Sequence, residues 1–113
     1  MASQPSSGGI EGLQKALQGF AEERDWVRFH SPKNLSMALS GEVGELVAEL
    51  QWLTEQESAS LSPDQHDAVA SEMADVFIYL VRLADVLGVD LLEESASKLE
   101  VNRKRFPPTQ TTT

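Results

Sequence analysis

The sequence predicts an all-α protein built as a bundle of four helices. Apolar residues recur in four stretches at the spacing of one helical face. Serine or aspartate, followed by proline or by glutamate or glutamine three residues on, marks where those stretches begin. No stretch of useful length alternates apolar and polar residues as a half-buried strand does. At 113 residues the chain suits a single domain with one modest core.

The first helix is expected over residues 10–26, where Leu13, Leu17, Phe20 and Ala21 share a stripe. A break follows in Phe29-His30-Ser31-Pro32-Lys33-Asn34. Ser31 suits an N-cap there and Pro32 the first helical position. The second helix is expected from Pro32 to about Thr54, with Leu35, Leu39, Val43, Leu46, Leu50 and Leu53 on its apolar face. Residues 56–61 read as a polar loop. Ser62-Pro63-Asp64-Gln65 is a capping box that opens a third helix through Val69, Met73, Val76, Phe77, Leu80, Leu83 and Leu87. Gly88 suits the residue just past its end. Asp90-Leu91-Leu92-Glu93 opens a fourth helix, which must stop by Phe106 because Pro107-Pro108 cannot continue it. Residues 1–9 read as a disordered leader and residues 107–113 as a disordered tail.

Composition narrows the function. The net charge is −9, and so acidic a surface repels a phosphate backbone, so nucleic acid is not an expected partner. There is no cysteine, which excludes disulfides and thiolate metal sites. No apolar run reaches the ~20 residues that span a bilayer, so no membrane partner is expected. The first residues carry neither a basic nor an apolar signal region, and a cytoplasmic location follows as the expectation.

Four carboxylates in two spaced pairs stand out. Glu42 and Glu45 lie in Gly41-Glu42-Val43-Gly44-Glu45-Leu46, and Glu72 and Asp75 in Ser71-Glu72-Met73-Ala74-Asp75-Val76. Spacing of i, i+3 on a helix puts both side chains of a pair on one face. Each helix also carries core residues, so the pairs point to an inward acidic cluster. Buried carboxylates need a cation or donors to compensate them, and hard divalent ions favour oxygen ligands. By spacing alone, solvated helix faces remain the other reading. Glu49 shares the face of Glu42 and reads as a surface charge. Gly41 and Gly44 suit either a close approach by a backbone or ligand, or tight helix packing. His30 and Lys33 sit just ahead of a helix N-terminus, a natural anion site. Trp26 lies at a helix end beside a polar loop, which favours a pocket; Trp52 is ambiguous.

The ordered set of strings resembles the MazG-type all-α nucleoside triphosphate pyrophosphohydrolases, closest to their dCTP pyrophosphatase branch. The strings are Phe20-Ala21-Glu22-Glu23-Arg24-Asp25-Trp26, Phe29 through Leu35, the two carboxylate segments, Gln51-Trp52, Ile78-Tyr79-Leu80, and Lys98 with Asn102-Arg103-Lys104-Arg105-Phe106. The resemblance implies that residues 10–106 form a helical catalytic domain. It implies hydrolysis of a nucleoside triphosphate to monophosphate and diphosphate with Mg2+, or Mn2+ in its place, in nucleotide-pool housecleaning. Glu42, Glu45, Glu72 and Asp75 match the family's metal ligands and catalytic carboxylates. Trp26 and Trp52 match its base-binding aromatics. His30, Asn34, Tyr79, Lys98 and Asn102 match positions that hold phosphate or sugar. The family assembles as dimers or tetramers with sites partly between subunits, which implies a homo-oligomer here.

Two departures bear on substrate choice. Gly41 stands where many members have glutamate, and Leu17 where the nearest branch carries a base-contacting histidine. dCTP or a modified dCTP is the favoured substrate, with dUTP or a damaged purine triphosphate as the alternative. A reading from another class is a non-catalytic helical module whose acidic face binds a basic partner. Carboxylates interleaved with core positions argue against it.

Overall fold

The computed structural model describes residues 8–109, and those residues are helical with no strand among them. Of the leader expected over residues 1–9 and the tail expected over 107–113, residues 1–7 and 110–113 lie outside the described residues, and Gly9 already belongs to the first helix. The helices are α1 (Gly9–Glu23), α2 (Pro32–Leu50), a single turn α3 (Glu55–Ser58), α4 (Pro63–Leu87) and α5 (Leu91–Arg105). A 3-10 turn at Val27–Phe29 joins α1 to α2. The four long helices are those the apolar stripes predict.

The punctuation explains the boundaries. Helix α1 begins at Gly9 and stops at Glu23, three residues short of the expected end. Asp25 adopts a left-handed φ of 55°, which no helix interior accepts. The backbone N–H of Trp26 donates back to the Ala21 carbonyl at 2.9 Å and closes the turn. Ser31 accepts from the Asn34 backbone N–H at 3.1 Å, with Pro32 in the first turn of α2, as expected. Helix α2 ends at Leu50 rather than near Thr54 because a second start lies directly ahead. Thr54 and Glu57 form a reciprocal capping box that opens α3 inside the expected loop.

Helix α4 starts on the Ser62–Gln65 capping box and stops on Gly88, whose φ of 69° is left-handed. Val89 donates to the Ala84 carbonyl at 2.8 Å and Gly88 to that of Asp85 at 3.1 Å, the paired bonds of a Schellman end. Asp90 caps α5 through the Glu93 N–H at 3.0 Å, and Arg103, Lys104 and Arg105 complement the dipole in its last turn.

Packing centres on α4. The dominant contact in the molecule is between α2 and α4, and α1 lies against α4 from another side. The core is correspondingly small: Ala21 from α1, Leu35 from α2, and Val81 and Ala84 from α4. Arg82 is the one charged residue buried with them among the described residues. No residue of α5 is buried, and its Leu92, Leu99 and Val101 are exposed. The molecule is elongated, 58 × 36 × 31 Å.

Candidate active site

The α2–α4 contact brings the two carboxylate pairs together. Glu42, Glu45 and Glu72 each offer an oxygen within 4.8 Å of the others. One oxygen of Glu42 and one of Glu72 are buried without any hydrogen-bond partner. Desolvation, then the charges of Glu45 and Asp75, hold the Glu42 carboxyl above the ordinary carboxylate range. Desolvation raises Glu72 as well, followed by the charges of Glu45, Asp75 and Glu42 and a hydrogen bond with Glu45. All four predicted carboxylates therefore act on one another.

A cluster of this kind is unfavourable on its own. Orphaned buried acceptors and mutually repelling charges are costly unless a cation satisfies them. An all-oxygen donor set with no sulfur or nitrogen suits a hard divalent ion. The cluster thus fits a metal ion, with Glu42, Glu45 and Glu72 as the group nearest one another and Asp75 beside them.

A cavity of about 350 Å³ opens next to this cluster. Glu42 and Asp75 line one part of it; Leu17, Phe20, Ala21, Trp26, His30, Ile78, Tyr79 and Arg82 line the rest. Acidic and aromatic groups therefore face one space. The turn after α1 positions Trp26, which meets the Phe20 ring edge-on at 5.7 Å between centroids and 67° between planes. The Arg24 guanidinium also packs on Phe20, 3.5 Å from the ring centre. Tyr79 follows Asp75 by one turn on α4. Two larger hollows, of about 470 and 540 Å³, open along α1 and the α4–α5 turn and touch neither a carboxylate pair nor a tryptophan.

His30 and Arg82 form the polar side of the cavity. Arg82 donates Nε–H to His30 Nδ1 at 3.0 Å and also donates through Nη1 to Gln18 Oε1. Its charge is balanced by Asp85, 3.6 Å from Nη1. Desolvation, then the Arg82 charge, pushes the His30 pKa below its ordinary value.

Other predicted residues lie elsewhere within the single chain. Asn34 donates its side-chain N–H to the Phe29 carbonyl at 2.9 Å, so it fastens the 3-10 turn. Trp52 follows the end of α2, is 87% exposed and does not line the cavity. Lys98 and Asn102 lie on α5, away from the α1–α2–α4 core, and neither lines the cavity. A Cβ added at Gly41 or Gly44 meets no atom within 4 Å, so neither glycine accommodates a close approach from this chain. The sequence reading missed Arg82 and Gln18. Their signal was present for Arg82: it stands seven residues after Asp75, on the same face of α4, inside an otherwise apolar run.

Residues 37–111 match the model of the MazG-like family. The chain belongs to the MazG-like family. Over 100 residues it is 45% identical to dCTP pyrophosphatase 1 of Homo sapiens and 43% identical to that of Mus musculus, covering 87% of this chain and 59% of each relative. The chain thus spans about three fifths of the length of the curated relatives it matches. A crystal structure of a pyrophosphatase from Archaeoglobus fulgidus is similar at a TM-score of 0.83 and 32% identity, over 96% of this chain and 99% of that one. The MazG-like match takes in all four carboxylates, Trp52, Tyr79, Lys98 and Asn102; Trp26, His30 and Asn34 precede it.

Proposed function

We propose that this MazG-like chain is a divalent-metal-dependent nucleoside triphosphate pyrophosphohydrolase that prefers dCTP or a modified dCTP. The observation that carries the reading is the shared space: Glu42 and Asp75 belong both to the carboxylate cluster and to the cavity that holds Trp26 and Tyr79. The names of the relatives support the same reaction.

In this reading Glu42, Glu45, Glu72 and Asp75 hold Mg2+, or Mn2+ in its place. When bound, the metal supplies charge neutralisation for the triphosphate and a more acidic water. Water adds to the α-phosphorus, the bond from that phosphorus to the bridging oxygen breaks, and diphosphate leaves. A cluster carboxylate takes the proton of the water. Glu42 and Glu72 are the candidates for that step, because each keeps one oxygen free of hydrogen bonds. Trp26 and Tyr79 hold the nucleoside, the tryptophan by stacking on the base, worth ~1–3 kcal/mol in nucleic-acid sites. His30 meets the substrate from the polar side of the cavity. Trp52, Lys98, Asn102 and Asn34 remain candidates for substrate contact once a second copy is present, since the reading includes a homodimer or homotetramer. It also includes a housecleaning role in the cytoplasm. No helix among the described residues is long and apolar enough to cross a membrane.

A screen of natural and modified nucleoside triphosphates on wild type and Trp26→Ala tests the proposal. Monophosphate and diphosphate should appear in equal amounts, with dCTP or a modified dCTP cleaved best. Stacking does not discriminate among bases, so Trp26→Ala should raise KM for all triphosphates by about tenfold without reordering them. Preference for dUTP or a damaged purine would keep the chemistry and overturn the choice of base. A reordered preference in Trp26→Ala would make that residue a selectivity element instead.

A further inference from the structure

We infer that Arg82 is a positioning residue that fixes His30 in its neutral form with the proton on Nε2, so that the cavity offers an uncharged N–H donor to the nucleoside part of the substrate rather than a cation to its phosphates. The inference rests on the function proposed above for its substrate and on the geometry alone for the state of His30.

A guanidinium carries five N–H donors and no acceptor, and it does not lose its proton in proteins. The Arg82 Nε–H aimed at His30 Nδ1 at 3.0 Å therefore requires a lone pair on that nitrogen. A neutral imidazole with a lone pair on Nδ1 has its proton on Nε2. Protonating Nδ1 would break this bond and set two cations against each other in a partly desolvated place.

Arg82 is itself held against movement. It is 3% exposed. Gln18 Oε1 accepts from its Nη1, and Gln18 Nε2 in turn donates to Glu22 Oε2 at 3.1 Å, which fixes the amide's orientation. Asp85 balances the charge. The acids that favour a cationic imidazole, Glu42 and Asp75, share the cavity wall, but neither has a hydrogen bond to His30. Desolvation first, and the Arg82 charge second, hold the pKa of His30 below its ordinary value, in agreement with a neutral ring. A neutral donor suits a carbonyl oxygen, a ring nitrogen or a hydroxyl, whereas phosphate oxygens call for charge. Leu17, also in the wall, offers no polar group, so His30 and Tyr79, with the Trp26 indole N–H, are the hydrogen-bonding groups on the nucleoside side.

Imidazole nitrogen NMR on the nucleotide-free protein reads this directly. The chain has two histidines, and a His66→Gln variant assigns the remaining ring signal to His30, with free imidazole in the same buffer as the reference. In wild type, His30 should show a protonated Nε2 and an unprotonated Nδ1 at neutral pH. It should stay neutral at an acidity where free imidazole in the same buffer is already a cation. Arg82→Met and Arg82→Lys should let His30 exchange between tautomers and protonate at a less acidic pH than in wild type. In kinetics, Arg82→Met should raise KM for dCTP by about tenfold, the equivalent of one hydrogen bond, with little change in kcat. Competitive inhibition by inorganic triphosphate, which has no nucleoside, should be unchanged. A cationic or Nδ1-protonated His30 in wild type overturns the inference, even where no Arg82 variant folds. So does an unaltered His30 in a folded Arg82 variant. Loss of affinity for triphosphate equal to that for dCTP would return His30 to the phosphates. Failure of wild type to cleave any nucleotide would overturn the proposed function and leave the NMR result standing by itself.

Discussion

Glu72 faces three other carboxylates, and its own carboxyl is desolvated with one oxygen unpartnered. A carboxyl that binds its proton more tightly in the folded state stabilises the fold below its ordinary value of 4.5. That contribution is lost as pH rises through the raised value. Glu72→Gln imitates the protonated form at every pH. In the absence of metal, the variant should therefore gain thermal stability relative to wild type as pH climbs above 4.5 towards neutrality. Mg2+ should stabilise wild type and narrow that gap, because binding to the folded state alone raises its stability. Melting curves of both proteins across this range, with and without Mg2+, measure the difference. A gap that stays constant with pH would mean that the cluster does not act on Glu72.

At the level of the helices, the caps carry the organisation. Ser62 and Gln65 exchange hydrogen bonds of 3.2 and 3.0 Å at the start of α4, against which α1 and α2 both pack. Ser62→Ala should destabilise the fold by about 1 kcal/mol, read by chemical denaturation. Thr54→Ala removes an equivalent cap from the one-turn α3, which contributes no buried residue, and should cost less. Equal losses would contradict the account of α4 as the organising helix. The capping signals at Ser31, Ser62 and Asp90 are local, so they were legible in the sequence, as were the apolar stripes and the meeting of the carboxylate pairs. The Thr54–Glu57 box was just as local and was passed over because residues 56–61 are polar. The early end of α1 depends on the left-handed Asp25, which residue type alone does not announce. Tertiary pairings were out of reach in a different way. The bonds from Arg82 to His30 and Gln18 cross 52 and 64 residues of chain, and no local pattern encodes them. For Trp52, Lys98 and Asn102 the resemblance supplied roles that one chain does not gather in one place.

The whole molecule has a small core and a large apolar exterior. Among the described residues five are buried, whereas Met37, Trp52, Met73, Leu92, Leu99 and Phe106 are each more than half exposed. Exposed apolar area of that extent marks an interaction surface. A homodimer or homotetramer should appear in sedimentation at micromolar concentration, and a fully active monomer would contradict that part of the proposal. In the proposed function the carboxylate cluster directs cleavage between the α- and β-phosphorus of a nucleoside triphosphate. Phosphorus NMR of dCTP turnover tests it most directly, in wild type and in Glu72→Gln, each with Mg2+ and with the metal chelated. Wild type with Mg2+ should give monophosphate and diphosphate alone, and the other three mixtures should leave dCTP intact. Release of orthophosphate, or turnover that survives chelation or the loss of Glu72, would contradict it.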